Sequence, residues 1–203
     1  MSVLQTSHTT ATLLEASKLD AALDPGIQAL WPGARLAGPA FPVQGVGGDN
    51  LALHNAVLAA PPGSILVVDV GGKDFGHWGE ILAVAAMARE ISGLVIDGAV
   101  RDSVEQEALG FPVFSRGTAI RGTAKAFPGW IGRPVRVGGV LVRPGDLVVG
   151  DADGVVSLPH AQTADILERA GERVRHEESI IAALRNGAST IDLYGLDPAG
   201  RQS

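Results

Sequence analysis

An arginine followed directly by an aspartate, Arg101-Asp102, closes the run GLVIDGAVRD at residues 93–102. A guanidinium grips a carboxylate in a bidentate fork, and a carboxylate beside it can hold a hard divalent cation. The pair suits enolate chemistry. A cation takes the carboxylate and carbonyl oxygens of a small 2-oxo acid, and both positive charges stabilise the oxyanion formed when a carbon–carbon bond breaks. The chain has no cysteine, so carboxylates must supply the ligands, which favours Mg2+ or Mn2+ over Zn2+. A second run, GGKDFGHWGE at residues 71–80, ends in Glu80. Its glycines let backbone approach a ligand closely, and the free amides of Ile81 and Leu82 then open a helix that attracts anions.

Each of these residues also has a plain reading. Asp102 could cap a helix over residues 103–109, Arg101 could be a surface ion-pair partner, and Glu80 could be a first-turn acid favoured by the helix dipole. His77 could carry a proton or could be structural. Asp151-Ala152-Asp153-Gly154 looks like the start of a calcium loop but lacks the remaining ligand positions, so a hairpin turn is expected there. Gly45-Val46-Gly47-Gly48 lacks the third glycine of a dinucleotide fingerprint, and no P-loop occurs.

The elements that must position these residues follow from apolar periodicity. A helix is expected over residues 10–23, ended by Pro25-Gly26, then a strand within 34–46. Asp49 or Asn50 caps a helix over 51–60. Residues 64–70 (SILVVDV) and 93–96 read as buried strands, each followed by a loop and a helix (80–91 and 103–109), with another strand at 111–115. Successive strand–loop–helix units imply a parallel sheet with right-handed crossovers. Its C-terminal edge, where ligands bind, is where both chemistry-bearing loops emerge. Short strands at 135–137, 140–142, 147–149 and 155–158 make a β-rich second half. A long amphipathic helix over 160–185 is stopped by Asn186-Gly187. One α/β domain over residues 1–203 is expected, with residues 1–8 loose.

Bulk properties exclude other classes. The formal charge is −6, with 16 Lys+Arg against 22 Asp+Glu and no basic block, so no nucleic-acid partner is expected. No apolar stretch approaches the roughly 20 residues of a membrane span. There is no signal-peptide pattern, and a chain without cysteine suits a reducing cytoplasm.

The runs Gly48-Asp49-Asn50-Leu51, Ala60-Pro61-Pro62-Gly63, Trp78-Gly79-Glu80 and residues 93–102 together resemble the RraA-like family. Gly110-Phe111-Pro112-Val113-Phe114, Pro144-Gly145-Asp146 and residues 151–156 fit as well, so the likeness spans nearly the whole chain in order. The family's aldolase signature, an acid, twenty intervening residues and then Arg-Asp, is matched by Glu80 and Arg101-Asp102. The resemblance implies a swivelling β/β/α sandwich, with a central sheet and flanking helices. It also implies a lyase that cleaves a 4-hydroxy-4-methyl-2-oxoglutarate-type acid to pyruvate and decarboxylates oxaloacetate. In that reading Asp102 ligates Mg2+ or Mn2+ largely through waters, and Arg101 steadies the pyruvate enolate. Glu80 holds a water that donates the proton, and Gly79, Ile81 and Leu82 receive the pyruvyl carboxylate. The resemblance further implies a homotrimer or hexamer in which a neighbour's Glu177 or Glu178 completes the metal site. Family aldolases often carry Asp where this chain has Glu80, and the extra methylene bears on the exact substrate. The family also contains a non-catalytic regulator that binds and inhibits a ribonuclease.

Overall fold

A computed structural model describes residues 8–197. The expected looseness of residues 1–8 lies, for residues 1–7, outside the described residues. The chain runs from α1 (Thr10–Ser17) through a short edge strand β1 (Gln28–Ala29) into β2 (Leu36–Gln44). Three helix–strand repeats follow: α2 (Leu51–Ala59) with β3 (Ile65–Asp69), α3 (Glu80–Met87) with β4 (Gly93–Asp97), and α4 (Ser103–Leu109) with β5 (Val113–Ser115). The second half holds β6 (Trp130–Ile131), β7 (Val135–Val137), β8 (Val140–Val142), β9 (Leu147–Asp151) and β10 (Gly154–Leu158), then α5 (Thr163–Arg185) and α6 (Thr190–Tyr194).

The main sheet is ordered β1-β5-β4-β3-β2-β9-β10, with β6 added to β2. Strands β2 to β5 are parallel, while β9 and β10 pair antiparallel onto the other side of β2. Strands β3 and β4 have no polar alternation because both of their faces are covered. Leu66, Val68, Leu94 and Ile96 point into a core shared with Leu53 and Ala56 of α2 and Leu82 and Ala86 of α3. Their neighbours Ile65, Val67 and Val95 point the opposite way, against Phe114, Val135, Val137, Val142 and Val148. A third cluster seats Leu13 of α1 and Ile166 and Ala170 of α5 on Leu147, Val149, Val156 and Leu158. The result is a helix layer, a central sheet and a β-rich layer, as the sandwich expectation requires.

Three local expectations are corrected. The first helix ends at Ser17 rather than reaching residue 23, because Lys18 turns into the left-handed region (φ 57°). Leu19 and Leu23 lie beyond it, and Leu23 is buried through the β-rich core instead. Helix α3 stops at Met87, and its expected last residue, Ile91, packs from the following loop. Helix α6 was not expected, although Ser189 and Asp192 have capping-box spacing and the Ser189 hydroxyl accepts from the Asp192 amide at 3.1 Å. The Asp151–Gly154 turn is the expected hairpin: Asp151 Oδ1 accepts from the Asp153 amide at 3.1 Å, and Asp151 pairs with Gly154 across the ladder. No described helix is long and apolar enough to cross a membrane.

Candidate active site

Register brings the two chemistry-bearing loops together. Asp69 and Asp97 are partners at the C-terminal ends of β3 and β4, so the segments leaving them run side by side. The Arg101 amide donates to the Trp78 carbonyl at 2.8 Å. Gln106, fully buried on α4, donates its Nε2 to the Arg101 carbonyl at 2.5 Å. The backbone of Arg101 is thus pinned from both sides, while its side chain stays 45% exposed.

Asp102 takes the left-handed conformation (φ 56°, ψ 46°) at the start of α4 but makes no side-chain cap there. Its carboxylate turns instead to the neighbouring helix, where Oδ2 accepts from the Glu80 amide at 3.0 Å. The same oxygen lies 3.6 Å from Arg101 Nε. Asp102 is therefore a cap, but of α3 and not of the helix that follows it in sequence. Its Oδ1 has no protein partner among the described residues. The αL backbone is tolerable for Asp, and the arrangement requires a bare backbone opposite: a Cβ on Gly79 would sit 2.3 Å from Asp102 Oδ2. Gly79 itself is extended (φ −158°), so glycine is needed there for space and not for torsion.

A cavity of about 190 Å3 opens at this junction. Gly79, Ile81, Leu82 and Arg101 line it, which brings together four of the residues expected from sequence. The first-turn amides of α3 have no intrahelical acceptor, and they face the same region as the guanidinium. The cavity also has walls that the sequence reading missed: Asn50 and His54 of α2, and Lys125 from the loop between β5 and β6. A signal existed for the first two, since Asn50, at the N-cap of α2, and His54 within it stand four apart, the spacing that puts residues on one helix face. Nothing in the local sequence marked Lys125. Burial, reinforced by the charge of Lys125, pushes the His54 imidazole below its ordinary pKa.

His77 is fully buried, and both ring nitrogens are taken. Nε2 accepts from the Gly48 amide at 3.0 Å, so the proton sits on Nδ1, which lies 3.2 Å from the Ala99 carbonyl. Burial lowers its pKa more than its hydrogen bonds raise it. Of the two readings of His77, the structural one holds. The glycines at 45–48 serve the same junction and make no dinucleotide loop.

Glu80 is exposed at the start of α3. Glu177 and Glu178 lie on α5, and within the chain Glu177 Oε1 pairs with Arg173 Nε at 2.8 Å. Among the described residues no three His, Cys, Asp or Glu side chains gather as a metal cluster. What one chain offers a cation is the free Oδ1 of Asp102, with Glu80, whose backbone amide the other Asp102 oxygen holds, at the start of α3. That small all-oxygen set fits Mg2+ or Mn2+, which keep several waters and need only one or two carboxylates.

Comparisons with known proteins bear on the family and the fold. A chain of Halalkalibacterium halodurans named "Putative 4-hydroxy-4-methyl-2-oxoglutarate aldolase" is 39% identical over 161 residues, covering 79% of this chain and 77% of the relative. An uncharacterized protein from Pseudomonas syringae superposes with a TM-score of 0.82 at 34% identity, over 90% of this chain and 87% of that one. Streptomyces coelicolor RraAS2, described as an unusual member of the RNase ES inhibitor RraA protein family, matches with a TM-score of 0.74 at 31% identity, over 84% and 89%. The family model described as RraA-like, Aldolase/RraA, covers residues 10–157. With the family model spanning most of the chain, this protein belongs to the RraA-like family.

Proposed function

We propose that the protein is a divalent-metal-dependent lyase that cleaves a 4-hydroxy-2-oxo acid of the 4-hydroxy-4-methyl-2-oxoglutarate type to pyruvate, and that it also decarboxylates oxaloacetate. The observation that carries this reading is that Arg101 and the start of α3 (Gly79, Ile81 and Leu82) line one cavity. Asp102 and Glu80, which do not line it, sit beside it with the Asp102 carboxylate on the Glu80 amide. The aldolase name of the Halalkalibacterium relative supports it.

In this reading Gly79 leaves room for the pyruvyl carboxylate, which accepts from the amides of Ile81 and Leu82, where the helix dipole favours an anion. Arg101 hydrogen-bonds the C2 oxygen. As the C4 hydroxyl gives its proton to water and becomes a carbonyl, the C3–C4 bond breaks and its electron pair forms the enolate. The fixed guanidinium stabilises the charge on the C2 oxygen without reorganisation. In oxaloacetate the same bond breaks with CO2 as the leaving group. Lys125 supplies a second cation for the carboxylate at the substrate's far end. Glu80 orients the water that returns a proton to C3. A Mg2+ or Mn2+ ion held by Asp102 and Glu80 would supply Lewis-acid charge at the C1 carboxylate and C2 oxygen. His77 takes no part, since neither ring nitrogen is free.

The assembly in this proposal is a homotrimer or hexamer. Ile81 (76% exposed), Val84 (48%), Leu58 (65%) and Val104 (71%) leave an apolar surface on neighbouring helices beside the cavity. A second copy covers it and brings Glu177 or Glu178 to the cation's waters. The test of the activity is pyruvate release from oxaloacetate and from 4-hydroxy-4-methyl-2-oxoglutarate, with Mg2+, with Mn2+ and after EDTA. Release that EDTA abolishes and the metal restores is expected. No release from either acid would leave the second reading, a non-catalytic protein that binds and inhibits a ribonuclease, which the likeness to RraAS2 favours.

A further inference from the structure

Asp49 stands outside the cavity, yet it is tied to the loop that forms one of the cavity's walls. It is 7% exposed and sits just before α2, the helix that carries His54. Its Oδ1 accepts from the Leu51 amide at 2.9 Å, which starts that helix. Its Oδ2 accepts from the Ala126 amide at 2.6 Å, seventy-seven residues along the chain. The Phe127 amide is also directed at this carboxylate. The backbone adds to the tie: the Asn50 amide donates to the Ala124 carbonyl at 3.0 Å, and the Ala124 amide to the Gly48 carbonyl at 2.8 Å.

These bonds bracket Lys125 on both sides. The loop that carries it lies between β5 and β6. It is also tied at Arg121, whose carbonyl accepts from the Gly76 amide at 2.8 Å, and at Pro128, whose carbonyl accepts from Asn55 Nδ2 at 3.1 Å. The contacts of residues 48–50 therefore fix the stretch between those two points. The same short segment also holds His77, another residue that lines the cavity, since the Gly48 amide donates to His77 Nε2 and Asn50 Nδ2 donates to the His77 carbonyl, both at 3.0 Å. Burial alone would raise the pKa of Asp49, but the amides of Leu51, Ala126 and Phe127 and the charge of Lys125 outweigh it and hold the carboxyl below its ordinary value. The group is therefore an anion at neutral pH, accepting from two segments of chain at once.

From this geometry we infer that Asp49 is a positioning residue: its carboxylate clamps the 124–127 loop to the start of α2 and so holds Lys125 at the cavity wall. The inference rests on the lyase reading for its catalytic consequence, though not for the clamp. An amide in place of the carboxylate can accept from only one side, and its NH2 opposes the other donor. Asp49→Asn should therefore free the loop at little cost to the fold.

The experiment pairs hydrogen exchange with a double-mutant cycle on the full chain. Asp49→Asn should speed exchange at the amides of Ala126 and Phe127 while leaving β3 and β4 protected. In oxaloacetate decarboxylation with Mg2+, Asp49→Asn and Lys125→Met should each raise KM by roughly tenfold or more with a smaller change in kcat, the mark of a misplaced binding group. The double variant should be no worse than Lys125→Met, because the two residues act through one contact. Losses that multiply in the double variant, or unchanged exchange at Ala126 and Phe127, would overturn the positioning role alone. A wild-type protein that releases no pyruvate overturns the lyase reading together with the kinetic role, and the exchange data still report whether the clamp exists.

Discussion

Arg101 and Asp102 divide two tasks that sequence could not separate. Arg101 spends its backbone on Trp78 and Gln106 and leaves its side chain exposed. Arg101→Ala should therefore abolish pyruvate release while the melting temperature stays within a degree or so of wild type, an exposed side chain contributing little to stability. Calorimetry beside the kinetics checks both halves. Asp102 differs, because one oxygen caps α3 while the other is free. Asp102→Ala should lose metal-dependent activity and also about 1 kcal/mol of stability, the usual cost of a lost cap. Asp102→Asn should keep the stability and still lose the activity, because an amide oxygen accepts from the Glu80 amide but carries no charge for a cation. Gly79→Ala should do both kinds of harm, since its methyl would collide with Asp102 Oδ2. The sequence showed that these residues could act together but not that Asp102 reaches across to another helix. That contact depends on the register of β3 against β4, and a local window of sequence does not contain it.

Among the elements, those with strong local signals were legible and those held by tertiary contacts were not. Helices α2, α4 and α5 and strands β3, β4 and β7 to β10 lie where apolar periodicity and turn residues put them. The overlong first helix had a helical pattern through Leu23, but a left-handed turn at Lys18 breaks it, and Leu23 is apolar for a different core. Lys125 was invisible because its loop has no periodicity and its place is set by Asp49. A buried histidine, His77, and a half-buried one, His54 on α2, give the protein a pH dependence of predictable sign. His77 and His54 both titrate below 6.5, their ordinary value when unfolded, with burial the largest cause. On acidification the unfolded chain binds protons first, so stability is complete above that value and is lost as pH falls below it. The melting temperature should drop as pH goes from about 7 to about 5, and His77→Gln should flatten that slope. An unchanged slope in the variant would place the sensitivity elsewhere.

For the whole molecule, the order of family motifs along the chain anticipated the family and the fold. Among the described residues of one chain no three His, Cys, Asp or Glu side chains gather, and no reading of a single sequence shows what a second copy adds. If a neighbour supplies Glu177 or Glu178, two inactive variants should complement each other. Arg101→Ala and the double variant Glu177→Gln with Glu178→Gln should each be inactive alone. Mixed after partial denaturation and reassembly, they should recover a fraction of the activity, because some cavities then draw each intact half from a different copy. Recovery that never exceeds the sum of the separate variants would show that each subunit works with its own acids.

The absence of any solvent face on β3 and β4 also has a cost before the fold is complete. Five-residue segments such as Ile65–Asp69 and Gly93–Asp97, rich in Val, Ile and Leu, are the kind of strand that stacks with copies of itself while its edges are open. Parallel pairing is slow to form because each strand must wait for a crossover helix. Refolding yield should therefore fall steeply with protein concentration, and the aggregates should have cross-β character. Apart from Asp69 and Asp97 at their C-terminal ends, neither segment has a position in the finished fold that could accept the charged residue that would relieve the self-association.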